Sequence, residues 1–206
     1  MRVQLPEGKF PGTGSGRTYA FDPQRALLIV NTNNFPNRVR LIPRDKVKSG
    51  TEDGDYGPQT GSPYGMIRRF LQSPSDLPCT SPPWGTLAAV DMTEGKIRWQ
   101  VPLGSMQDFG GAHDSIPPGS ISLGGPIATA GGLIFIAGTT DPYIRAFDVE
   151  NGKELWKARL PAGGNATPIT YRFNSAGKQY LVIAAGGHPK IPEEPLGDAL
   201  VAFTLP

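Results

Sequence analysis

Ala89-Val90-Asp91-Met92-Thr93-Glu94-Gly95-Lys96-Ile97-Arg98-Trp99 is answered further along the chain by Ala146-Phe147-Asp148-Val149-Glu150-Asn151-Gly152-Lys153-Glu154-Leu155-Trp156. Ala, Asp, Gly, Lys and Trp recur in one register, each shifted by 57 positions (Asp91 to Asp148, Gly95 to Gly152, Trp99 to Trp156). Each copy reads as strand, tight turn, strand. The Asp closes an Asx-type turn, the Gly takes a positive φ and the Trp sits on the returning strand. A hairpin recurring at this interval is the signature of a repeat architecture.

Further matches extend the repeat outward. Leu133-Ile134-Phe135-Ile136-Ala137-Gly138 matches Tyr180-Leu181-Val182-Ile183-Ala184-Ala185-Gly186, and more loosely Leu27-Leu28-Ile29-Val30-Asn31. Ile144-Arg145-Ala146-Phe147 matches Leu200-Val201-Ala202-Phe203 at a spacing of 56. These strings divide the chain into four-stranded units at about 18–101 and 123–160, and a three-stranded unit at 166–205 that lacks its fourth strand. Four-stranded antiparallel sheets repeated at this interval are propeller blades, so the expected fold is all-β, an incomplete β-propeller domain over 1–206. Two and three-quarter blades do not close a ring, and an unclosed stack exposes strand edges and apolar faces. The chain is accordingly expected to be the C-terminal part of a longer propeller or a truncated reading frame, and, folding alone, to be weakly stable or self-associating.

Composition agrees with many short strands. The 206 residues include 27 Gly and 22 Pro, about twice the usual combined share, with no low-complexity period. A formal charge of +2 offers no broad basic field, so no nucleic-acid partner is expected. Cys79 is alone, no metal-type Cys or His spacing is present, and no apolar run is long enough to span a bilayer. No targeting segment is read in this chain. Between Pro43 and Pro83 the alternation fails, apart from Tyr64 to Leu71, which reads as a helical turn or two. This insertion between the second and third strands of the first unit is expected to be a lid or binding loop.

The Ala-x-Asp-x-x-x-Gly-Lys-x-x-Trp hairpin resembles the tryptophan-docking motif of the eight-bladed quinoprotein dehydrogenases, in which the Trp of one blade stacks on its neighbour. Four further strings are similar to the C-terminal region of membrane-bound glucose dehydrogenases that use pyrroloquinoline quinone (PQQ), and to the related quinate/shikimate and polyol enzymes. They are Pro82-Pro83-Trp84-Gly85-Thr86-Leu87, Ser122-Leu123-Gly124-Gly125-Pro126-Ile127, Leu160-Pro161-Ala162-Gly163-Gly164-Asn165-Ala166-Thr167-Pro168, and Gly177-Lys178-Gln179-Tyr180 running on to Ala185-Gly186-Gly187-His188. The resemblance implies about three blades of an eight-bladed propeller, with the other blades N-terminal to this segment. It implies oxidation of a sugar, polyol or cyclitol hydroxyl by hydride transfer to PQQ, with Ca²⁺ or Mg²⁺ bound in the full-length protein. Electrons would pass to ubiquinone at the periplasmic face of the inner membrane. The general base and the PQQ-contacting lysine of the family lie upstream, so no catalytic residue and no metal ligand is expected here, and the isolated fragment is expected to be inactive. A non-catalytic PQQ-like-repeat propeller serving as a protein-assembly scaffold is the alternative. It shares the docking hairpins but needs neither the insertion nor the Gly-Gly-His string.

The resemblance also assigns site residues. His188, after Ala185-Gly186-Gly187, is expected to hydrogen-bond a substrate hydroxyl, the alternative being a surface-loop histidine before Pro189. Asp141 matches an acidic position near the family's active site, the alternative being a turn-capping Asp before Pro142. Asn165 and Thr167 begin the innermost strand of the last blade, which lines the central channel, and are expected at the cofactor, as is Gly187. Trp99 and Trp156 are expected to pack. Asp108, His113 and Asp114 are read as loop residues. Two positions depart from the family: Pro189 stands where a Gly is usual, and Gly14-Ser15-Gly16-Arg17 stands where an Asn-Trp-Gly segment approaches PQQ.

Overall fold

The computed structural model describes residues 19–46, 54–74, 77–106, 116–188 and 195–204. Among them the only helical element is one turn of 3₁₀ helix at Arg44–Lys46. In chain order the strands are β1 (Ala20–Asp22), β2 (Leu27–Asn33), β3 (Asn37–Pro43), β4 (Asp55–Gly57), β5 (Tyr64–Phe70), β6 (Gly85–Asp91), β7 (Lys96–Pro102), β8 (Ile127–Ala128), β9 (Leu133–Ile136), β10 (Tyr143–Asp148), β11 (Glu154–Arg159), β12 (Ile169–Arg172), β13 (Gln179–Ala185) and β14 (Ala199–Thr204). They form antiparallel sheets in the orders β1-β2-β6-β7, β11-β10-β9-β8, β12-β13-β14 and β3-β5-β4. The all-β propeller reading is therefore correct.

Two compact units divide this material: Phe35–Ser81, and Met1–Asn34 together with Pro82–Pro206. The second holds three blade-like sheets. Strand alternation gives each of them two apolar faces. Leu27, Ile29, Leu87 and Ala89 of the first sheet share a core with Ile134, Ile136, Phe147 and Val149 of the second, all at most 2% exposed. On the other face of the second sheet, Phe135, Ile144 and Ala158 pack with Leu181, Ile183, Val201 and Phe203 of the third.

The repeated hairpin is the same object twice. Asp91 Oδ1 accepts from the Thr93 amide (2.8 Å), the Thr93 hydroxyl (2.6 Å) and the Glu94 amide (3.1 Å), while Asp148 Oδ1 accepts from the Glu150 amide (2.8 Å). Gly95 and Gly152 take φ of 70° and 71°, in the left-handed region that favours glycine. Each hairpin carries a register shift one turn back, at Ala89/Val90 and Ala146/Phe147. Trp99 lies over the second hairpin and donates from Nε1 to the Val149 carbonyl at 2.8 Å. Its six-membered ring fills the place a side chain on Gly152 would take, with Cε3 2.5 Å from an ideal Cβ. Trp156, the equivalent residue, meets the Phe203 ring edge-on at 5.2 Å and is 38% exposed. Both tryptophans are packing residues.

The insertion differs from its reading. Residues 64–70, expected as a helical turn, are the central strand β5 of the three-stranded sheet, paired to β3 from Asn37↔Phe70 to Pro43↔Tyr64 and to β4. Apolar residues at 66, 67, 70 and 71 imitate helical spacing, but the partners that decide the state are separate strands, β3 at 21–33 residues' distance in sequence and β4 at 9–13. Ile67, 9% exposed, is the centre of this unit. Phe35 packs on Phe70 with ring centroids 4.6 Å apart, Arg68 pairs with Asp55 at 2.6 Å, and the Arg44 guanidinium donates to the Pro58, Gln59 and Ser62 carbonyls.

Candidate functional site

An up-and-down sheet sends alternate connections to opposite ends. The turns 23–26, 92–95, 129–132, 149–153 and 173–178 share one end, where Arg25 and Arg98 both pair with Glu150 (2.6 and 3.1 Å) across the first two sheets. Glu150 is the larger cause, ahead of Asp22, that pushes the Arg25 guanidinium above its ordinary value. Residues 103–106, 116–126, 137–142, 160–168 and 186–188 share the other end. The sequence repeat thus marks one end of the stack, and every expected site residue lies at the other.

Hydrogen bonds tie these connections into a continuous rim. Asn31 Nδ2 donates to Ser122 Oγ and the Gly124 carbonyl, both at 3.0 Å, and Asn33 exchanges two bonds of 2.8 Å with the Ser122 backbone. The Leu123 amide donates to the Gly138 carbonyl (2.7 Å), and a Cβ on Gly138 would sit 3.2 Å from the Asn165 Cα. The Gly187 amide then donates to the Gly163 carbonyl at 2.9 Å.

Asp141 departs from the role expected of it. Only 2% exposed, it forms a two-pronged ion pair with Arg145, itself 5% exposed, with bonds of 2.8 and 2.7 Å. Thr139 Oγ1 donates to the same carboxylate at 2.7 Å and the Ser105 amide at 2.6 Å. Four donors occupy both oxygens, leaving no acceptor position for a substrate hydroxyl. The geometry supports the turn-capping alternative, enlarged: this carboxylate holds segment 103–106 against the β9–β10 turn. Sequence reasoning missed its partner, yet a signal existed. Arg145 occupies a strand position where the sister string has Val201, and a charge at a core position needs a buried partner.

Asn165 is half-buried and Thr167 exposed on the segment entering β12, and half-buried His188 follows Gly187 on the adjoining connection. Gly187 is a glycine for backbone reasons: φ is +70°, and the space a Cβ needs is taken by the Pro195 carbonyl. It therefore offers an amide, already given to Gly163, and no cradle for a ring. The Asn165 amide, Thr167 hydroxyl and His188 imidazole are hydrogen-bonding groups suited to the oxygens of a quinone cofactor or a polyhydroxylated substrate. Among the described residues no three His, Cys, Asp or Glu side chains gather to hold a cation. Asp108, His113, Asp114 and Gly14–Arg17 lie outside the described residues.

This arrangement has relatives. The chain is 41% identical to a probable quinate dehydrogenase (quinone) of Xanthomonas campestris pv. juglandis over 96% of its own length and 27% of the relative's. It is 43% identical to the quinoprotein glucose dehydrogenase of Escherichia coli strain K12 over 90% of its length and 24% of the relative's. Among solved structures, a europium-containing methanol dehydrogenase superposes with a TM-score of 0.53 at 28% identity, covering 82% of this chain and 24% of that one. The chain thus spans about a quarter of the length of the curated relatives it matches. Residues 3–181 match the model of the PQQ glucose/ethanol/alcohol dehydrogenase β-propeller domain, and the chain belongs to that family.

Proposed function

We propose that this chain is the C-terminal propeller segment of a PQQ-dependent dehydrogenase that oxidises a hydroxyl of a sugar, polyol or cyclitol and passes electrons to ubiquinone at the periplasmic face of the inner membrane. The observation carrying the reading is the identity of about two-fifths to quinate and glucose dehydrogenases along nearly the whole chain. The position of Asn165, Thr167 and His188 at one end of the sheets supports it. When bound, PQQ supplies the hydride acceptor. The part of this chain is to form a section of the rim: His188 orients a substrate hydroxyl, and Asn165 and Thr167 present donors on the segment that enters β12. The general base, the divalent cation's ligands and the remaining blades belong to residues outside this segment.

The test is made on the whole enzyme containing this segment, loaded with PQQ and Ca²⁺ and assayed with glucose, quinate and glycerol against a ubiquinone analogue. Oxidation of at least one is expected, and His188→Ala should raise its KM about two- to tenfold, the worth of one neutral hydrogen bond, with kcat changed less. Absence of oxidation of all three would overturn the reading, and an unchanged KM would remove His188 from it.

A further inference from the structure

The turn between β9 and β10 is the footing of the segment that carries Asn165. Its Pro142 carbonyl accepts from the Leu160 amide at 2.7 Å, where the chain leaves β11. Gly138 lies against Asn165, whose Cα would be 3.2 Å from a Cβ on that glycine, and Ala137 lies against Gly164 at the same spacing. Segment 160–165 is thus held to residues 137–142 at both its ends. The Gly163 carbonyl within it accepts from the Gly187 amide at 2.9 Å, which ties in the neighbour of His188. Both faces of the second sheet are covered by sheets of this chain, so the footing owes its shape to neighbours on this chain. One side chain closes the turn. The buried Arg145 guanidinium donates from Nη1 to Asp141 Oδ1 (2.8 Å) and Thr139 Oγ1 (3.1 Å), and from Nη2 to Asp141 Oδ2 (2.7 Å). Its Nε donates to Glu154 at 3.1 Å. The third sheet fills the equivalent place with Val201, so strand packing by itself does not call for a charge there.

We propose that Arg145, acting through Asp141, is a positioning residue for Asn165 and His188, because it fixes the turn on which segment 160–165 rests. The inference rests on the proposed function, in which Asn165 meets the cofactor and His188 the substrate. A buried ion pair is a poor means of stabilising a sheet, since taking two charges out of water offsets much of their attraction. What it supplies is geometry. A planar guanidinium meets both oxygens of a carboxylate in one orientation, which fixes Asp141 relative to β10. Asp141 in turn fixes the Ser105 amide (2.6 Å) and the Thr139 hydroxyl (2.7 Å) around itself. Groups that hydrogen-bond a ligand must be held within about 0.5 Å of their working place, and an apolar pair at 141 and 145 would fill the space without setting that place.

The test compares variants of the whole enzyme containing this segment, with Ca²⁺ present. The readouts are the thermal midpoint, the PQQ affinity of the apoenzyme from fluorescence quenching, and KM and kcat for the substrate it oxidises. Asp141→Leu together with Arg145→Met replaces the pair by apolar side chains and should keep the midpoint within a few degrees of the parent's. Its PQQ Kd and its KM should each rise about two- to tenfold, the worth of one hydrogen bond apiece, with kcat changed less. A purely structural pair would leave both constants at parent values in so stable a variant. The route is read from two further backgrounds. On Asn165→Ala the pair replacement should raise the PQQ Kd by less than about twofold more, and on His188→Ala the same holds for KM. Parent values of Kd and KM in the pair replacement, or increases undiminished on the alanine backgrounds, would overturn the proposal. Should the pair replacement fail to fold, Arg145→Lys keeps the charge and loses the fork; a rise in Kd of about twofold or more is expected, and a parent value overturns the proposal. A parent enzyme that binds no PQQ overturns the proposed function and this inference with it, whereas a parent that binds PQQ and is matched by its variants overturns this inference alone.

Discussion

Gly95 and Gly152 occupy one place in two copies of a hairpin, yet their neighbourhoods differ. A Cβ on Gly95 meets nothing within 4 Å, whereas one on Gly152 would press into the Trp99 ring. Gly95→Ala is expected to cost about 1 kcal/mol, the backbone strain of a positive φ. Gly152→Ala adds a clash that displaces the indole from the Val149 carbonyl, and should cost at least ~2 kcal/mol in urea unfolding. Equal costs would mean that Trp99 is not docked. Asp91 makes a pH prediction. The Thr93 hydroxyl first, then the Glu94 and Thr93 amides, hold its carboxyl below the usual carboxylate range. The stability gained from a depressed carboxyl is full above its ordinary value of about 4 and is lost as pH falls through the lower folded value. Stability should therefore fall less steeply in that acid range for Asp91→Asn than for the parent, read as unfolding midpoint against pH. The Asp141–Arg145 pair is the costliest to break. Arg145→Met leaves a buried carboxylate without its cation and should destabilise by about 3–5 kcal/mol, while Asp141→Leu together with Arg145→Met should recover much of that loss.

Among the elements, the insertion tests how independent the sheets are. The ladder between β2 and β6 runs from Leu27↔Asp91 to Asn33↔Gly85, and the Asn34 amide continues it to the Trp84 carbonyl at 2.7 Å. No described residue of 35–81 takes part in it. Replacing that segment by a short Gly-containing turn is expected to preserve the near-ultraviolet signal of Trp99 and to shift the thermal midpoint by only a few degrees, since β2 and β6 become an ordinary hairpin. Loss of the Trp99 signal would show that the first sheet depends on the insertion. The same segment shows where reading by sequence stops. Strands β9 and β10 were legible because alternation and a nearby Gly-Gly or Asn-Gly turn are local signals. Strand β5 was not, because its apolar spacing resembles a helix and only its two partners make it a strand.

At the scale of the whole molecule, one polarity governs both internal interfaces, and it places the Asp-Gly-Trp hairpins at one end and the candidate rim at the other. The hairpins that decide the fold are therefore architecture, and the chemistry proposed for this family member belongs to the opposite connections.

By itself the sequence determined that the chain is built of repeated antiparallel sheets, where most strands run and which family it resembles. Those features rest on a period of 57 residues and on turn chemistry within each hairpin. Only the tertiary structure decided that Asp141 is a buried partner of Arg145 and not a free carboxylate, that Gly187 serves its own backbone, and that the insertion folds as a sheet. Each of these depends on which atoms come within about 3 Å in space, whatever their separation along the chain, the distance at which a hydrogen bond or an ion pair satisfies a buried group.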